Sequence, residues 1–554
     1  MFARIATGLG LFVGLSTFAL GDGDRAAPCA SETDPAVMRS AGSAGEGIPP
    51  GPSRLIPSLA LRAGVPAGEA TLRDRKETPL KFAVTVPEGR LKGPTDGRLF
   101  VIFGPPNRDG QPRQRIAETG LDRPPILARD VPALDSGATV LVDRDADSFP
   151  IAGLSGLAPA EYRVQAVFDF NPDLRSPNAP GNLASKPAVL FVDPGRDDIL
   201  PITLDEVLPE IAPADVGSVK FLKLESKLLS DFHGRPIFLR AAVILPEGFD
   251  RDADRKYPLR VHIGGFGSRY FYADRRPPRA DDPKFLTLML DGAGPLGDPY
   301  QVNSANHGPY GDAITQELIP YVEKTYRGIG DGKSRVLDGG STGGWVSLAL
   351  QVFYPDFFNG CWSFCPDAVD FRDFQLVNIY RDENAYVNAH GFERPACRDR
   401  NGDVRYTMRH EVTLENTLGR GGSWALSGGQ WGSWNATYSP RGADGRPVPL
   451  WDPRTGDIDA AVAKHWEKYD IRRILEDHWA TLGPKLRGKI RIWVGEADDY
   501  FLNNAVHRLD TFLKSADPPA DASIAFGPGQ GHCWMGISPR EMLDQMDRAV
   551  GGGR

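Results

Sequence analysis

Arg335-Val336-Leu337-Asp338-Gly339-Gly340-Ser341-Thr342-Gly343-Gly344-Trp345 is the stretch on which the reading of this chain turns. It holds the one G-x-S-x-G of the sequence, Gly339 to Gly343. The apolar run before it, 335–337, reads as a strand, and residues 345–354, stopped by Pro355, read as a helix. A serine at a sharp turn between strand and helix is forced into a strained backbone conformation. Small flanking residues let the two elements approach, and the hydroxyl stands exposed at the end of a sheet. Ser341 is therefore the candidate nucleophile.

A serine hydroxyl is a poor nucleophile at neutral pH and needs a base, itself oriented by a third group. Both are expected in loops after later strands, the acid first and the histidine second. Residues 489–494 alternate like a strand and run into Gly495-Glu496-Ala497-Asp498-Asp499. Asp498 is the preferred acid, since its place directly after the strand turns its side chain back toward the sheet end; Asp499 is the rival. Residues 523–526 read as a short strand leading into Gly527-Pro528-Gly529-Gln530-Gly531-His532-Cys533-Trp534. Of nine histidines, His532 alone follows a strand near the C-terminus in a glycine-rich loop, and it is the candidate base. His233 reads as a surface residue of a hairpin turn, and His262 as a packed strand residue. His465, His478 and His507 fall in helical stretches, and His390 and His410 in an irregular region.

An acyl-transfer site also needs N–H donors aimed at the developing oxyanion. One is expected from Thr342, the residue after the nucleophile. The other should follow an earlier strand. Residues 258–263 read as that strand, and Gly264-Gly265-Phe266-Gly267-Ser268 as its loop. Glycine lets backbone approach a ligand with no Cβ in the way, so the Gly265 N–H is favoured, with Phe266 as the alternative. Phe266, His307 (at the expected pocket rim) and Trp534 are the candidate substrate-binding residues. No metal or organic cofactor is required by this set.

With these residues in hand, the chain resembles the putative-esterase (esterase D-like) family of α/β-hydrolases, related to feruloyl, acetyl-xylan and enterochelin-type esterases. The resemblance is carried by Val261-His262-Ile263-Gly264-Gly265, Gly308-Pro309-Tyr310-Gly311-Asp312-Ala313 and Glu317-Leu318-Ile319-Pro320-Tyr321-Val322-Glu323. It continues through Gly339-Gly340-Ser341-Thr342-Gly343-Gly344, Val494-Gly495-Glu496-Ala497-Asp498 and Gly531-His532. It spans roughly residues 216–548. It implies Ser341 as nucleophile, Asp498 as acid and His532 as base. The chain departs from the compact pattern between Cys365 and about Asp470, where a long insertion replaces a short connection.

The remaining composition bounds the answer. The chain has 554 residues and a formal net charge of -8, which argues against sequence-independent nucleic-acid binding. Residues 1–21, with Arg4 and then an apolar run ending in Ala19-Leu20-Gly21, read as an export signal too short to span a bilayer. No later apolar stretch reaches bilayer length, so a secreted or periplasmic protein is expected. Of the five cysteines, Cys29, Cys361, Cys365, Cys397 and Cys533, an odd number leaves at least one unpaired. A bridge from Cys397 to Cys361 or Cys365 is one option, and Cys533 reads as packing. No zinc site is expected.

Residues 22–75, rich in Pro, Gly, Ala and Ser, read as a loose linker. Strand-like runs at 82–86, 98–103, 138–142, 162–168 and 188–192, separated by Pro/Gly/Asp-rich turns, suggest a β-sandwich (Ig-like) domain over 76–200. The α/β-hydrolase domain then takes 205–550, with the insertion at about 366–470. Two strands about a turn, 219–224 and 237–245, should open its mostly parallel sheet as an antiparallel edge. The insertion's aromatics, Tyr380, Tyr386, Trp424, Trp431, Trp434 and Trp451, read first as an ordinary core and second as a surface for a sugar or phenolic acyl group. Asp399-Arg400-Asn401-Gly402-Asp403 reads as a hairpin turn, because its spacing fails as a calcium loop. The expectation is an exported serine carboxylic-ester hydrolase acting on a small-molecule or glycan-linked ester. An acyltransferase, a peptidase or an inactive binding protein on the same scaffold are the alternatives.

Overall fold

Apolar runs in the first half meet as two sheets. In the computed structural model, which describes residues 78–551 except 117, 211 and 274–277, the strand Lys81–Thr85 pairs with Thr139–Val142 and Ile199–Thr203. A larger sheet is centred on Thr95–Gly104, flanked antiparallel by Ile126–Leu134 and Ala160–Asp169. Phe82 and Val84 from the first sheet share a core with Leu99, Val101, Phe103, Ala166 and Phe168 from the second. The strand Thr95–Gly104 is buried on both faces, which is why it reads as a continuous apolar run. Ile126–Leu134 and Ile199–Thr203 escape a pattern reading because Pro132 and Pro201 interrupt them. The leader and linker expected for residues 1–75 lie outside the described residues.

The second half is built on one sheet of eight strands: β1 (Val219–Glu225), β2 (Phe238–Ile244), β3 (Leu259–Ile263), β4 (Leu286–Leu290), β5 (Arg335–Gly340), β6 (Cys361–Phe364), β7 (Ile490–Gly495) and β8 (Ala522–Gly527). Their spatial order is β1-β2-β4-β3-β5-β6-β7-β8. The β1–β2 and β2–β4 pairs are antiparallel, and every later pair is parallel. This is the α/β-hydrolase fold. Alternate residues of β5 serve its two faces. Leu337 joins the large core with helix α1 (Thr342–Phe353), whereas Val336 faces Met542 and Met546 of the last helix, Pro539–Ala549.

One expectation at the sheet edge is corrected. A helix, Lys227–His233, and not a turn, joins β1 to β2; Ser226 Oγ caps it by accepting the Leu229 N–H, and Gly234 ends it at φ 66°. His233 is accordingly half-buried, its Nε2 3.1 Å from the His307 carbonyl oxygen.

The insertion packs into the same core as the eight-stranded sheet. Trp424, Trp431, Trp434, Trp451 and Tyr386 are all buried, so the core reading of its aromatics holds. Trp424 stacks on Trp451 with ring centroids 4.6 Å apart. Its helix α2 (Met408–Leu418) sends Glu415 to the start of α3 (Gln430–Tyr438), where the carboxylate accepts the Trp431 and Gly432 N–H groups. The same α2 places Leu414 and Leu418 against Phe100, Ile102 and Phe149 of the larger N-terminal sheet. Asp399 and Asp403 lie in the hairpin turn between Pro395–Arg398 and Val404–Thr407, as read from the sequence.

Arg98 fixes that junction. Its side chain is 1% exposed and donates to Asp130, to Asp147 and to the Thr417 carbonyl oxygen at the end of α2. The two carboxylates keep access to water, but the carbonyl has no replacement donor. Arg98→Ala should lower the unfolding free energy by about 3 kcal/mol, read as an earlier urea midpoint.

Candidate active site

Ser341 occupies the turn between β5 and α1 with φ 59° and ψ −123°, a conformation non-glycine residues rarely hold. The neighbouring glycines make it possible. A Cβ on Gly343 would lie 2.1 Å from the Ile263 carbonyl oxygen, one on Gly339 would lie 2.4 Å from the Gly343 carbonyl oxygen, and one on Gly344 would lie 2.5 Å from the Phe364 carbonyl oxygen. The ends of β3 and β6 thus press on the turn from both sides. The Ser341 N–H donates to the Phe364 carbonyl oxygen at 3.0 Å.

Asp498 and His532 meet at the ends of β7 and β8. His532 Nδ1 is 2.9 Å from Asp498 Oδ2, and Asp498 is fully buried. The other carboxylate oxygen accepts the Tyr500 N–H at 2.9 Å and the Leu502 N–H at 3.3 Å. With both oxygens engaged, Asp498 is fixed in orientation. Asp499 reaches only the His532 backbone N–H, at 3.5 Å. The insertion supports this loop, because Arg398 Nε donates to the Asp498 carbonyl oxygen at 3.0 Å. Nδ1 being taken, Nε2 of His532 is the nitrogen free to face a nucleophile. A single sulfur, Cys365 Sγ, lies 3.3 Å from the Ser341 N and 4.0 Å from His532 Nε2, which brings turn and histidine together. Among the described residues the Ser341 hydroxyl makes no hydrogen bond, a common state for a nucleophile without substrate.

The two residues expected to supply oxyanion donors adjoin the turn. A Cβ on Gly265 would sit 3.8 Å from Ser341 Cβ. Thr342 is the first residue of α1, where an amide has no partner within the helix. Its hydroxyl is drawn inward, 3.0 Å from Asp367 Oδ2 and 2.9 Å from the Tyr300 hydroxyl. Phe266, in the same loop as Gly265, is exposed.

One of the candidate substrate contacts is corrected. His307 is not at a rim: it is 0% exposed, and its ring lies edge-on to Tyr310. Burial, first, and then the nearby His233 hold its pKa down to about 3, so it stays neutral. Its loop looked open in sequence, but Ser304 and Asn306 donate to the Ala436 carbonyl oxygen of α3, which seals it. Trp534 leans on Gly527, where a Cβ would meet its ring at 2.7 Å, and joins the apolar cluster with Trp493 and Met542. Its ring shapes the histidine loop.

Three residues near the turn carry no sequence signal that singles them out. Asp367 is buried, and its Oδ2 accepts from Tyr300, Thr342, Gln430 and Trp434. Burial raises its pKa. The donors come from three separate segments, Gln430 and Trp434 sharing α3, so only the fold reveals the cluster. Cys365 and Cys533 are the other two. Their sulfurs are 2.6 Å apart. Cys361 and Cys397 are buried. Cys365, Cys533 and His532 are the one grouping of metal-ligating atoms among the described residues, all within 4.8 Å of one another.

Residues 299–537 match the family described as "Putative esterase", a span that contains Ser341, Asp498 and His532. No curated protein matches the sequence. Among solved structures, the chain is similar to a ferulic acid esterase (15% identity, TM-score 0.37, covering 60% of this chain and 98% of that one). It is also similar to an S-formylglutathione hydrolase from Agrobacterium tumefaciens (13%, 0.34, 60% and 94%). A third is the fluorophosphonate-binding serine hydrolase F of Staphylococcus aureus (14%, 0.35, 61% and 100%). The segment 299–537 is similar to this esterase family, and the match supports an esterase-type enzyme.

Gly343→Ala tests the crowding at the turn. The added methyl would run into two backbone carbonyls, and a loss of about 3 kcal/mol in unfolding free energy is expected, with loss of ester turnover.

Proposed function

We propose that the chain is an exported serine carboxylic-ester hydrolase that works through an acyl-enzyme. The observation that carries this reading is the 2.9 Å bond from His532 Nδ1 to the buried Asp498, formed beside a serine in strained backbone. Ser341 Oγ attacks the ester carbonyl while His532 Nε2 takes its proton. Asp498 keeps the proton on Nδ1 and stabilises the imidazolium that forms. The N–H groups of Gly265 and Thr342 receive the oxyanion. His532 then gives its proton to the leaving alcohol, and water repeats the sequence on the acyl-enzyme. No step calls on a group outside this chain other than ester and water.

The substrate is a small-molecule or glycan-linked ester, entering past the exposed Phe266. The catalytic unit is assigned to residues 205–550 and the pair of N-terminal sheets to an Ig-like β-sandwich over 76–200. The reading as an exported protein rests on the Arg4-led apolar start and on Ala19-Leu20-Gly21. Among the described residues no helix is long and apolar enough to cross a membrane.

Ser341→Ala should abolish turnover of a p-nitrophenyl ester and labelling by a fluorophosphonate. Turnover unchanged in this variant would refute the proposal. Asp498→Asn keeps the shape but leaves the imidazole in the wrong tautomer, and kcat should fall by about 10⁴-fold with the fold intact by circular dichroism.

A further inference from the structure

Cys365 follows β6 directly, and Cys533 follows His532 directly. Their sulfurs are 2.6 Å apart, well inside the contact distance of two unbonded sulfurs. Two thiolates on one tetrahedral zinc would stand about 3.8 Å apart, given Zn–S bonds near 2.3 Å. The spacing therefore suits a bond between the sulfurs and not a shared metal ion. Two further observations agree. Cys365 (φ 39°) and Cys533 (φ 60°) both hold left-handed backbone conformations that L-residues avoid, as expected where the chain is bent to bring two side chains together. A Cβ at Gly340, beside the nucleophile, would lie 3.6 Å from Cys533 Sγ, an ordinary contact that places this sulfur against the turn.

We propose that Cys365 and Cys533 form a disulfide bond, and that this bond holds the loop of His532 against the Ser341 turn. The positioning role rests on the esterase reading above, while the bond itself does not. The oxidant is an external disulfide, RSSR, of an oxidising compartment. The Cys533 thiolate attacks it, forming a mixed disulfide and releasing one RSH. The Cys365 sulfur, giving up its proton, then attacks the Cys533 sulfur and releases the second RSH. Two electrons and two protons pass to the reagent.

The bond bears on catalysis in two ways. The segment 527–531 holds three glycines and a proline, yet a catalytic base must be held to about 0.5 Å. A covalent tie one residue beyond His532 supplies that hold. The second effect is electrostatic. Without the bond, a hydrogen bond from Cys365 outweighs burial, and with the His532 charge it brings the Cys533 thiol down to about 6. Burial alone would lower His532, but the Cys533 thiolate and then Asp498 outweigh it and raise His532 well above its ordinary value. An imidazole kept protonated cannot take the serine proton. Joining the sulfurs removes that thiolate. The other groups facing His532 are Asp499, Asp367 and the Tyr500 ring, and they are the same in both redox states.

The test starts from the full chain equilibrated with oxidised glutathione, alkylated in denaturant without reductant, digested and weighed. A linked Cys365–Cys533 peptide pair that separates on reduction is expected, with the alkyl label on Cys361 and Cys397. Label on both Cys365 and Cys533, or zinc retained with both thiols intact, would overturn the bond. Wild type reduced with dithiothreitol and Cys365→Ser are then compared with the oxidised enzyme on a p-nitrophenyl ester. A fall in kcat of roughly tenfold or more is expected, with KM changed less than about twofold. The acid limb of kcat/KM should move to higher pH, because the free thiolate raises His532. Unchanged rates and an unchanged pH profile would overturn the positioning role. If Cys365→Ser does not fold, the peptide masses and the reduced wild type still decide. A linked pair in a protein without Ser341-dependent turnover would remove the esterase reading and leave the bond. Unlinked thiols with Ser341-dependent turnover would do the reverse.

Discussion

Steric exclusion at one backbone crossing governs this molecule. Where β5 becomes α1, the carbonyl oxygens of Ile263, Gly343 and Phe364 crowd the places that side chains of residues 339, 343 and 344 would fill. Only glycine fits there, and only because it fits can β3, β5 and β6 lie close enough for Gly265, Ser341 and Cys365 to adjoin. The strained serine is a product of that crowding. Its conformation is held by the sheet around it and by the N–H bond to Phe364, and Asp498 and His532 follow the two strands added beyond β6.

Residues whose surroundings are local in sequence were legible. Ser341, Asp498 and His532 each follow a short strand with a recognisable loop, and the structure places all three at one end of the sheet. The glycine loop after β3 was readable for the same reason. What could not be read depends on distant partners. His307 sits in a polar Asn/Gly/Pro stretch that looks like surface, yet α3 covers it from more than a hundred residues further on. Cys365 and Cys533 are 168 positions apart, and no count of cysteines could have paired them. The strand β4 lay unremarked because its short apolar run, Leu286–Leu290, is just five residues long and carries no loop motif.

The insertion works in two directions. Its aromatic side chains extend the core of the sheet, and Trp434 also reaches Asp367, next to the Thr342 hydroxyl. Arg398, from its hairpin, supports the acid loop. On the opposite side, α2 covers the apolar face of the larger N-terminal sheet. The insertion therefore braces the end of the sheet that carries Ser341, Asp498 and His532 and fastens the first half of the chain to the second.

That fastening limits how far the molecule can be treated as separable modules. Excising the N-terminal sheets would strip Leu414 and Leu418 of their cover and leave a greasy helix face in water, so a minimal catalytic fragment cut from this protein would tend to self-associate. Transplanting the insertion onto a smaller relative would carry the same burden, since one of its helices is written for a partner that the smaller scaffold lacks.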